Sequence, residues 1–437
     1  MSLIQFSGPK YLLFVSLMAA SMSVSAAELR TSAGGRPVSR TVAAASHTVP
    51  AIEEMEMDVD VQSTGCDGQC SQCNGGHSCG TQMCQSCCFQ SNGFWVDAEF
   101  LLAWRHGARF PPLVTTSANG TAAAVAGVLG QPATTVVYAN EAVGDDGRPG
   151  GRISVGTWLD PWQCWGIEGR YYMLANESTR FDATSAGDPI LARPFFDVIA
   201  NAPASRLVAF PGVVTPGSVS VITESEVMGG DAMLRRSLCR WGCGRVDLIF
   251  GYQFARIDES LLISDSSTDA DPANLIADGT ILAISDSFVT RNEYHAATLG
   301  AAAQFEQGSW RLDVLGKIGF GNMRETVSIA GQTVVDAPPI GVVDAVNAFG
   351  LLAQGVNIGT FSQDRFSVSP EINAKAVYRV TDCIDVWAGY TFVYWSRVAG
   401  PGRQIDGDLR VPPVQQFAVR DSEYWVHALT LGGQFRF

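Results

Sequence analysis

Residues 245–254 read Arg-Val-Asp-Leu-Ile-Phe-Gly-Tyr-Gln-Phe. Val246, Leu248, Phe250, Tyr252 and Phe254 fall on one parity, and Arg245, Asp247 and Gln253 on the other. Successive side chains of an extended backbone point to opposite faces, so this is a strand with one apolar and one polar face. The grammar recurs from residue 93 to the end. Phe94, Val96, Ala98, Phe100, Leu102 and Trp104 alternate with Asp97, Glu99 and Arg105. Trp310, Leu312, Val314, Ile318 and Phe320 alternate with Arg311, Asp313 and Lys317, and Ile384, Val386, Ala388, Tyr390, Phe392 and Tyr394 with Asp385 and Thr391. The reading predicts ten strands, near 93–105, 151–160, 163–175, 225–238, 244–257, 290–306, 309–322, 365–380, 383–396 and 422–437. The count becomes twelve if a loop hides a further hairpin, for instance in 205–223.

Most of these runs exceed the ~9–11 residues that a tilted strand needs to cross a bilayer. Their connections alternate between short links (161–162, 239–243, 307–308, 381–382) and long ones (106–150, 176–224, 258–289, 323–364, 397–421). Short turns at one end and long loops at the other define an up-and-down outer-membrane barrel, with an even strand number placing both barrel ends on the periplasmic side. A soluble sandwich fits less well. Trp104, Trp158, Trp165, Trp310, Tyr394 and Trp425 lie toward strand ends, as interfacial girdles do. The last strand closes on Phe435 and Phe437, in phase with Leu429 and Leu431, an ending of the kind that outer-membrane assembly machinery recognises. The expected fold class is therefore all-β, a transmembrane antiparallel up-and-down β-barrel in the cell outer membrane, with lipid as its surroundings.

Composition agrees. The 437 residues carry 43 acidic and 29 basic side chains, a net charge of −14, and only 16% are charged, against ~25% in average soluble domains. Mean hydropathy is slightly positive, +0.11. No uninterrupted run of about 18 apolar residues follows the N-terminus, which excludes a helical bundle. The negative charge argues against nucleic acid as a partner.

The N-terminus reads differently. Lys10, an apolar core over residues 11–20 and small residues up to Ala26 and Ala27 form a secretory signal peptide, placed at 1–26. Residues 27–92 read as a flexible periplasmic extension, polar, then acidic, then cysteine-rich. Its knot, 66–88, holds Cys66, Cys70, Cys73, Cys79, Cys84, Cys87 and Cys88. Disulfides are the preferred reading in an oxidising compartment. Two C-x2-C pairs, Cys70/Cys73 and Cys84/Cys87, keep a zinc-ribbon alternative open. No metal, haem or other cofactor is assigned. Cys164, Cys239, Cys243 and Cys383 all fall at expected periplasmic turns, and the expectation is a Cys164–Cys239 bridge. Alternatively one of the four tethers the N-terminal knot, or they are ordinary small apolar residues.

Residues 93–437 resemble the β-barrel porin family of planctomycete outer membranes, formerly a domain of unknown function. The resemblance rests on Pro111-Pro-Leu-Val-Thr-Thr-Ser117, Gly127-Val-Leu-Gly-Gln-Pro132, Ile190-Leu-Ala-Arg-Pro-Phe-Phe196, Leu207-Val-Ala-Phe-Pro-Gly212, Leu352-Ala-Gln354 with Asn357-Ile-Gly359, and Gly389-Tyr-Thr-Phe-Val-Tyr-Trp-Ser396. It implies an outer-membrane barrel of porin type and carries no substrate or catalytic residues; the cysteine cluster lies outside it. Several of these segments are apolar yet fall in long loops, so the loops are expected to fold back into the barrel mouth or over each other.

Candidate pore-lining residues are Asp97, Glu99, Arg152, Glu168, Arg170, Arg235, Arg245, Asp247, Arg311, Asp313, Lys317, Glu371 and Lys375. A ten-stranded ring is narrow, so these mixed charges are expected to pair across it. The function expected is passage of small solutes through a narrow, loop-constricted pore. The alternative is a non-conducting structural or surface-interaction barrel whose outer loops carry the role. Catalysis is not expected: His47, His77, His106, His295 and His427 form no recognisable triad with Ser and Asp.

Overall fold

The computed structural model describes residues 93–436 except 140–141, 198, 274–275, 338–344, 356 and 406–416. The expected signal peptide, the 27–92 extension with its seven cysteines, and Phe437 lie outside the described residues. Ten strands form one ring: β1 (Phe94–Arg105), β2 (Arg148–Trp158), β3 (Trp165–Leu174, continued by Glu177–Ser185), β4 (Val214–Trp241), β5 (Gly244–Asp269), β6 (Ile281–Gln307), β7 (Trp310–Asp336), β8 (Gly359–Arg379), β9 (Ile384–Val398) and β10 (Ser422–Arg436). Every strand is antiparallel to the next. β1 also pairs with β10, from Trp95↔Arg436 to Arg105↔Val426, which closes the sheet. Closure removes both edges, so ladder N–H and C=O groups facing hydrocarbon are satisfied.

The ring holds ten strands, and no extra hairpin joins it in 205–223. Part of that stretch is the start of β4, and Ala202–Ala209 instead pairs with Ile190–Asp197 in a separate four-stranded sheet. The short turns close tightly. In the β2–β3 turn the Asp160 carboxylate accepts the N–H groups of Cys164 (2.9 Å) and Trp165 (2.6 Å). Slight burial raises its pKa, but these backbone donors outweigh that and hold the carboxyl below its usual range.

β4 to β7 run 28, 26, 27 and 27 residues, up to twice the lengths expected from periodicity. The reason is a change of face. Over the lower parts of these strands the outward parity is apolar, with Phe250, Tyr252, Leu299, Phe305, Leu312 and Phe320 exposed. Higher up, the outward parity carries Glu226, Arg256, Asp258, Arg291, Glu293 and Arg324, tied sideways by Arg256–Asp258 (2.6 Å) and Arg291–Asp258 (3.4 Å). Above this charged belt the apolar side chains move to the inside: Val219, Val221, Leu261, Ile263, Phe288, Val327 and Ile329 are all buried there. Alternation persists with its faces exchanged, as expected of a barrel that rises beyond the bilayer into water.

Ile372 lies near the middle of β8 and is 55% exposed on the lipid-facing parity, next to inward Glu371. Ile372→Arg is expected to destabilise the membrane-inserted barrel by about 2–4 kcal/mol, measured by urea titration in lipid vesicles. An unchanged midpoint would contradict this assignment of faces.

Candidate functional site: an occluded lumen

The lumen parity of every strand converges on a narrow axis, and the side chains form layers. At the short-turn end lies a cavity of about 840 Å³, its rim including Gly93, Gly242, Cys243 and Asp382. Its walls carry Trp95, Trp158, Arg235, Arg245, Arg311 and Lys375. Trp158 does not join a lipid-facing girdle; it turns inward, with the Arg245 guanidinium 3.8 Å from its ring centroid and Arg235 at 5.9 Å.

The floor of this vestibule is a bridge of charge. Arg170 and Asp231 are direct ladder partners on β3 and β4, and Lys317 and Glu371 on β7 and β8. The two pairs face each other across the lumen. Arg170 lies 2.6 Å from Asp231 and 3.0 Å from Glu371, and Lys317 lies 2.5 Å and 2.9 Å from the same carboxylates. Glu99 on β1 binds its ladder partner Arg152 at 2.5 Å and takes Lys375 from β8 at 2.5 Å. Nearer the turns, Arg235 meets Glu168 (3.2 Å) and Asp247 (3.7 Å), Arg245 meets Asp247 (2.5 Å), and Arg311 meets Asp313 and Asp385 (2.8 Å each). Asp97 accepts the Gln434 side-chain N–H at 2.9 Å. All thirteen candidate residues thus face the interior. Asp231, Asp385 and Arg436, which also pairs with Asp385 (2.7 Å), belong to the same networks but are not among the thirteen candidates; the alternation puts Asp385 and Arg436 on the polar parity, and only Asp231 escapes it. Asp231 is in phase with Arg235, a signal weakened by the surrounding glycines and methionines of β4.

Above the bridge the lumen becomes apolar. Leu101, Leu174, Val227, Ile257, Tyr294, Met323, Trp395, Tyr424 and Val426, drawn from eight strands, form one buried cluster; Tyr294 and Met323 are fully buried and Trp395 is 1% exposed. Between cluster and bridge lies a small cavity of about 40 Å³, lined by Leu101, Arg170, Glu371 and Trp395 among others. A further ion layer follows, Arg105 with Glu177 and Glu259 at 2.8 Å each. The sequence reading missed the apolar layer because its residues lie on the parity marked as polar.

The outer mouth is filled by loops. Val114–Ser117, Thr134–Tyr138, Ile190–Asp197 and Ala202–Ala209 form the four-stranded sheet. Phe110, Leu113, Leu191, Val208, Leu352 and Ala353 pack on the inward residues of β4–β7 in a second apolar cluster. Arg193, 1% exposed, pins this cap to the wall: its guanidinium binds Asp265 of β5 and Asp286 of β6, each at 2.6 Å. The other Asp286 oxygen accepts the N–H groups of Leu352 (2.9 Å) and Ala353 (2.8 Å). Gly127 has a φ of +72°, and a β-carbon there would run into the Ala192 side chain, so the loop segments pack closely only because position 127 is glycine. Of the segments behind the family resemblance, those at 111–117, 127–132, 190–196, 207–212, 352–354 and 357–358 thus lie in the loops of the outer mouth, whereas 389–396 lies in β9.

The expected Cys164–Cys239 bridge is absent. The Ser237 N–H donates to the Cys164 carbonyl at 2.8 Å, and a bulge follows between Ser237 and Cys239. Cys239 is thereby carried past Cys164 and keeps a free, exposed thiol. Phe435 points outward near the short-turn end, 42% exposed, between Val96 and Ile384. The described histidines sit in aromatic surroundings: His106 stacks on Trp425 (5.6 Å), His427 on Trp104 (5.4 Å), and His295 meets Tyr252 at 2.5 Å. Among the described residues no His/Cys/Asp/Glu group is placed to hold a metal ion.

Two substitutions test the layers. Lys317→Met leaves Asp231 and Glu371 short of a cation and is expected to destabilise by about 3–5 kcal/mol, whereas Lys317→Met with Glu371→Leu is expected to cost less than the single change. Chemical unfolding in detergent checks both. Arg193→Met strips the cap of its anchor, and limited proteolysis is expected to cut residues 186–213 several-fold faster with the barrel core intact.

No curated protein matches the chain. Three solved structures are similar to it at 8% identity. They are the outer membrane protease OmpT from Escherichia coli (TM-score 0.40, covering 81% of this chain and 99% of that one), the Ralstonia pickettii toluene transporter TbuX (0.16, 78% and 89%) and the outer membrane channel DcaP of Acinetobacter baumannii (0.13, 79% and 96%). The family model described as Putative beta barrel porin-7 (BBP7) matches residues 95–437, the whole of the ring. The chain belongs to that family and is a β-barrel of the outer membrane.

Proposed function

We propose that this protein is an outer-membrane barrel whose resting conformation is closed, and that its extracellular cap is the working surface. The observation that carries the reading is the apolar layer around Leu101, Tyr294, Met323 and Trp395, buried on the axis between two ion layers. Water and ions crossing it would shed hydration with no polar partners in return, a cost of several kcal/mol per group. No residue is assigned a catalytic role. Phe435, on the lipid-facing end of the last strand, supports an assembly signal in β10.

A second reading, gated passage of small solutes, is favoured by the vestibule of about 840 Å³ and by the family's porin description. It needs the cap and the Trp395 layer to move. The near balance of lumen charges supports a pore without strong ion preference in that case.

Planar-bilayer recording of the purified protein decides between them. The closed reading expects no sustained current from wild type and stepwise current from a Leu101→Ala, Tyr294→Ala, Trp395→Ala triple variant. Voltage-dependent opening of wild type would support the gated reading, and a steady conductance of general-porin size would overturn both.

A further inference from the structure

Four arginines fall within eleven residues of the β4–β5 hairpin: Arg235, Arg236, Arg240 and Arg245. Plain alternation would put Arg235 and Arg245 on the lumen side and Arg236 and Arg240 on the lipid side. The bulge between Ser237 and Cys239 inserts one residue and reverses the parity beyond it. Arg240 thereby becomes the direct ladder partner of Arg245 and shares its lumen face. Arg236 stays outside, its guanidinium 4.6 Å from the Trp165 ring centroid. Like charges directly opposite one another destabilise a ladder, so the Arg240–Arg245 pair calls for negative charge.

The partner it finds is neutral. Arg240 Nη2 and Arg245 Nη2 both donate to the Gln163 carbonyl, at 2.7 Å and 3.1 Å, and Gln163 Oε1 lies 3.5 Å and 3.4 Å from the same two guanidiniums. The face of Arg245 is spent on Trp158, at 3.8 Å from the ring centroid, so its donors point out along the edges of the fork. The nearby carboxylates are engaged. Asp247 binds Arg245 (2.5 Å) and Arg235 (3.7 Å), Glu168 binds Arg235 (3.2 Å), and Asp160 is held by backbone N–H groups of the β2–β3 turn. Three guanidiniums therefore share two carboxylates. Arg240 makes no ion pair among the described residues, and Arg235 Nε is buried without a hydrogen-bond partner. Other vestibule cations differ: Arg311, Lys375 and Arg436 each have a carboxylate within 2.8 Å. A carbonyl satisfies N–H groups but carries no net charge, and guanidinium bonds to an anion are about twice as strong. Gln163, Arg240 and Arg245 all line the cavity of about 840 Å³, with Arg240 exposed at its rim.

We infer that Arg240 and Arg245 form an oxyanion-binding site at the short-turn rim of the vestibule, which takes a carboxylate or phosphate group in place of the Gln163 carbonyl. The bound group neutralises the surplus positive charge of this wall. A soluble anion entering the vestibule and the headgroup of a neighbouring lipid present the same oxygens to the two forks. Binding at the rim needs no passage along the axis, so the site belongs equally to a closed barrel and to a gated one.

The test is calorimetric titration of the full-length protein, in a maltoside detergent at low ionic strength, with inorganic phosphate, with succinate and with a short-chain phosphatidylglycerol in turn. The expected result is saturable binding of one anion per barrel, weakened at least about tenfold by Arg240→Gln. Binding of phosphate or succinate identifies a soluble anion; binding of phosphatidylglycerol alone, with the same dependence on Arg240, identifies a lipid headgroup. No saturable binding of any of the three, or binding unchanged by Arg240→Gln, would overturn the site. Arg436→Gln removes a vestibule cation that already has a carboxylate and is expected to bind as wild type does. A loss as large as that of Arg240→Gln would mean a general positive field and no defined site. Arg240→Glu gives Arg245 a carboxylate from within the ladder. It is expected to abolish binding and to raise the urea midpoint of unfolding. A lowered midpoint would show that the pair is not short of negative charge and would count against the inference.

Discussion

Everything inside this barrel follows from its circumference. Closing the sheet through the β1–β10 ladder satisfies the backbone of the end strands and fixes a ring of ten, in which opposite walls lie within side-chain reach. Charges placed on the lumen parity therefore cannot stay in separate wet layers. Arg170–Asp231 and Lys317–Glu371 are ladder pairs that would each exist on an open sheet, but closure turns them toward one another and makes four contacts of two. The narrow ring also explains why Trp395, Tyr294 and Met323, contributed by three strands, suffice with their neighbours to fill the axis.

The stacked lumen divides labour. Ion layers carry specificity of register, since one slipped residue would turn Glu99 or Lys317 toward lipid. The apolar layer between them excludes water and raises the strength of the pairs on either side. At the outer mouth the same two devices recur with loop residues: Arg193 bridges two carboxylates, and the cluster around Leu113, Val208 and Leu352 surrounds it. The cap is thus integrated into the wall, with Asp286 binding both the Arg193 hairpin and the 352–353 backbone.

Much of this was legible in the chain. Alternation located every strand of the ring, and its polar parity named most of the charges that meet below the apolar layer, though not Asp231. The reading stopped short on β4–β7 because the apolar residues change face above the Asp258–Arg291 belt, and a search for one continuous lipid-facing stripe ends there. It placed Trp158 with the girdles because a tryptophan near a strand end looks the same from sequence whether it faces headgroups or, as here, Arg245. It paired Cys164 with Cys239 because a bulge after Ser237 leaves no trace in periodicity.

The sequence by itself determined the architecture: parity, turn spacing and an alternating terminal strand are local properties, and each is written within a few residues of chain. Whether the lumen is open was decided only by tertiary structure. Occlusion depends on which residues from β1, β6, β7 and β9 reach the same height on the axis, and on Arg193 finding Asp265 and Asp286 some 72 and 93 residues away. Those coincidences are set by ring closure and stagger, which bring distant positions to one level and which no single strand contains.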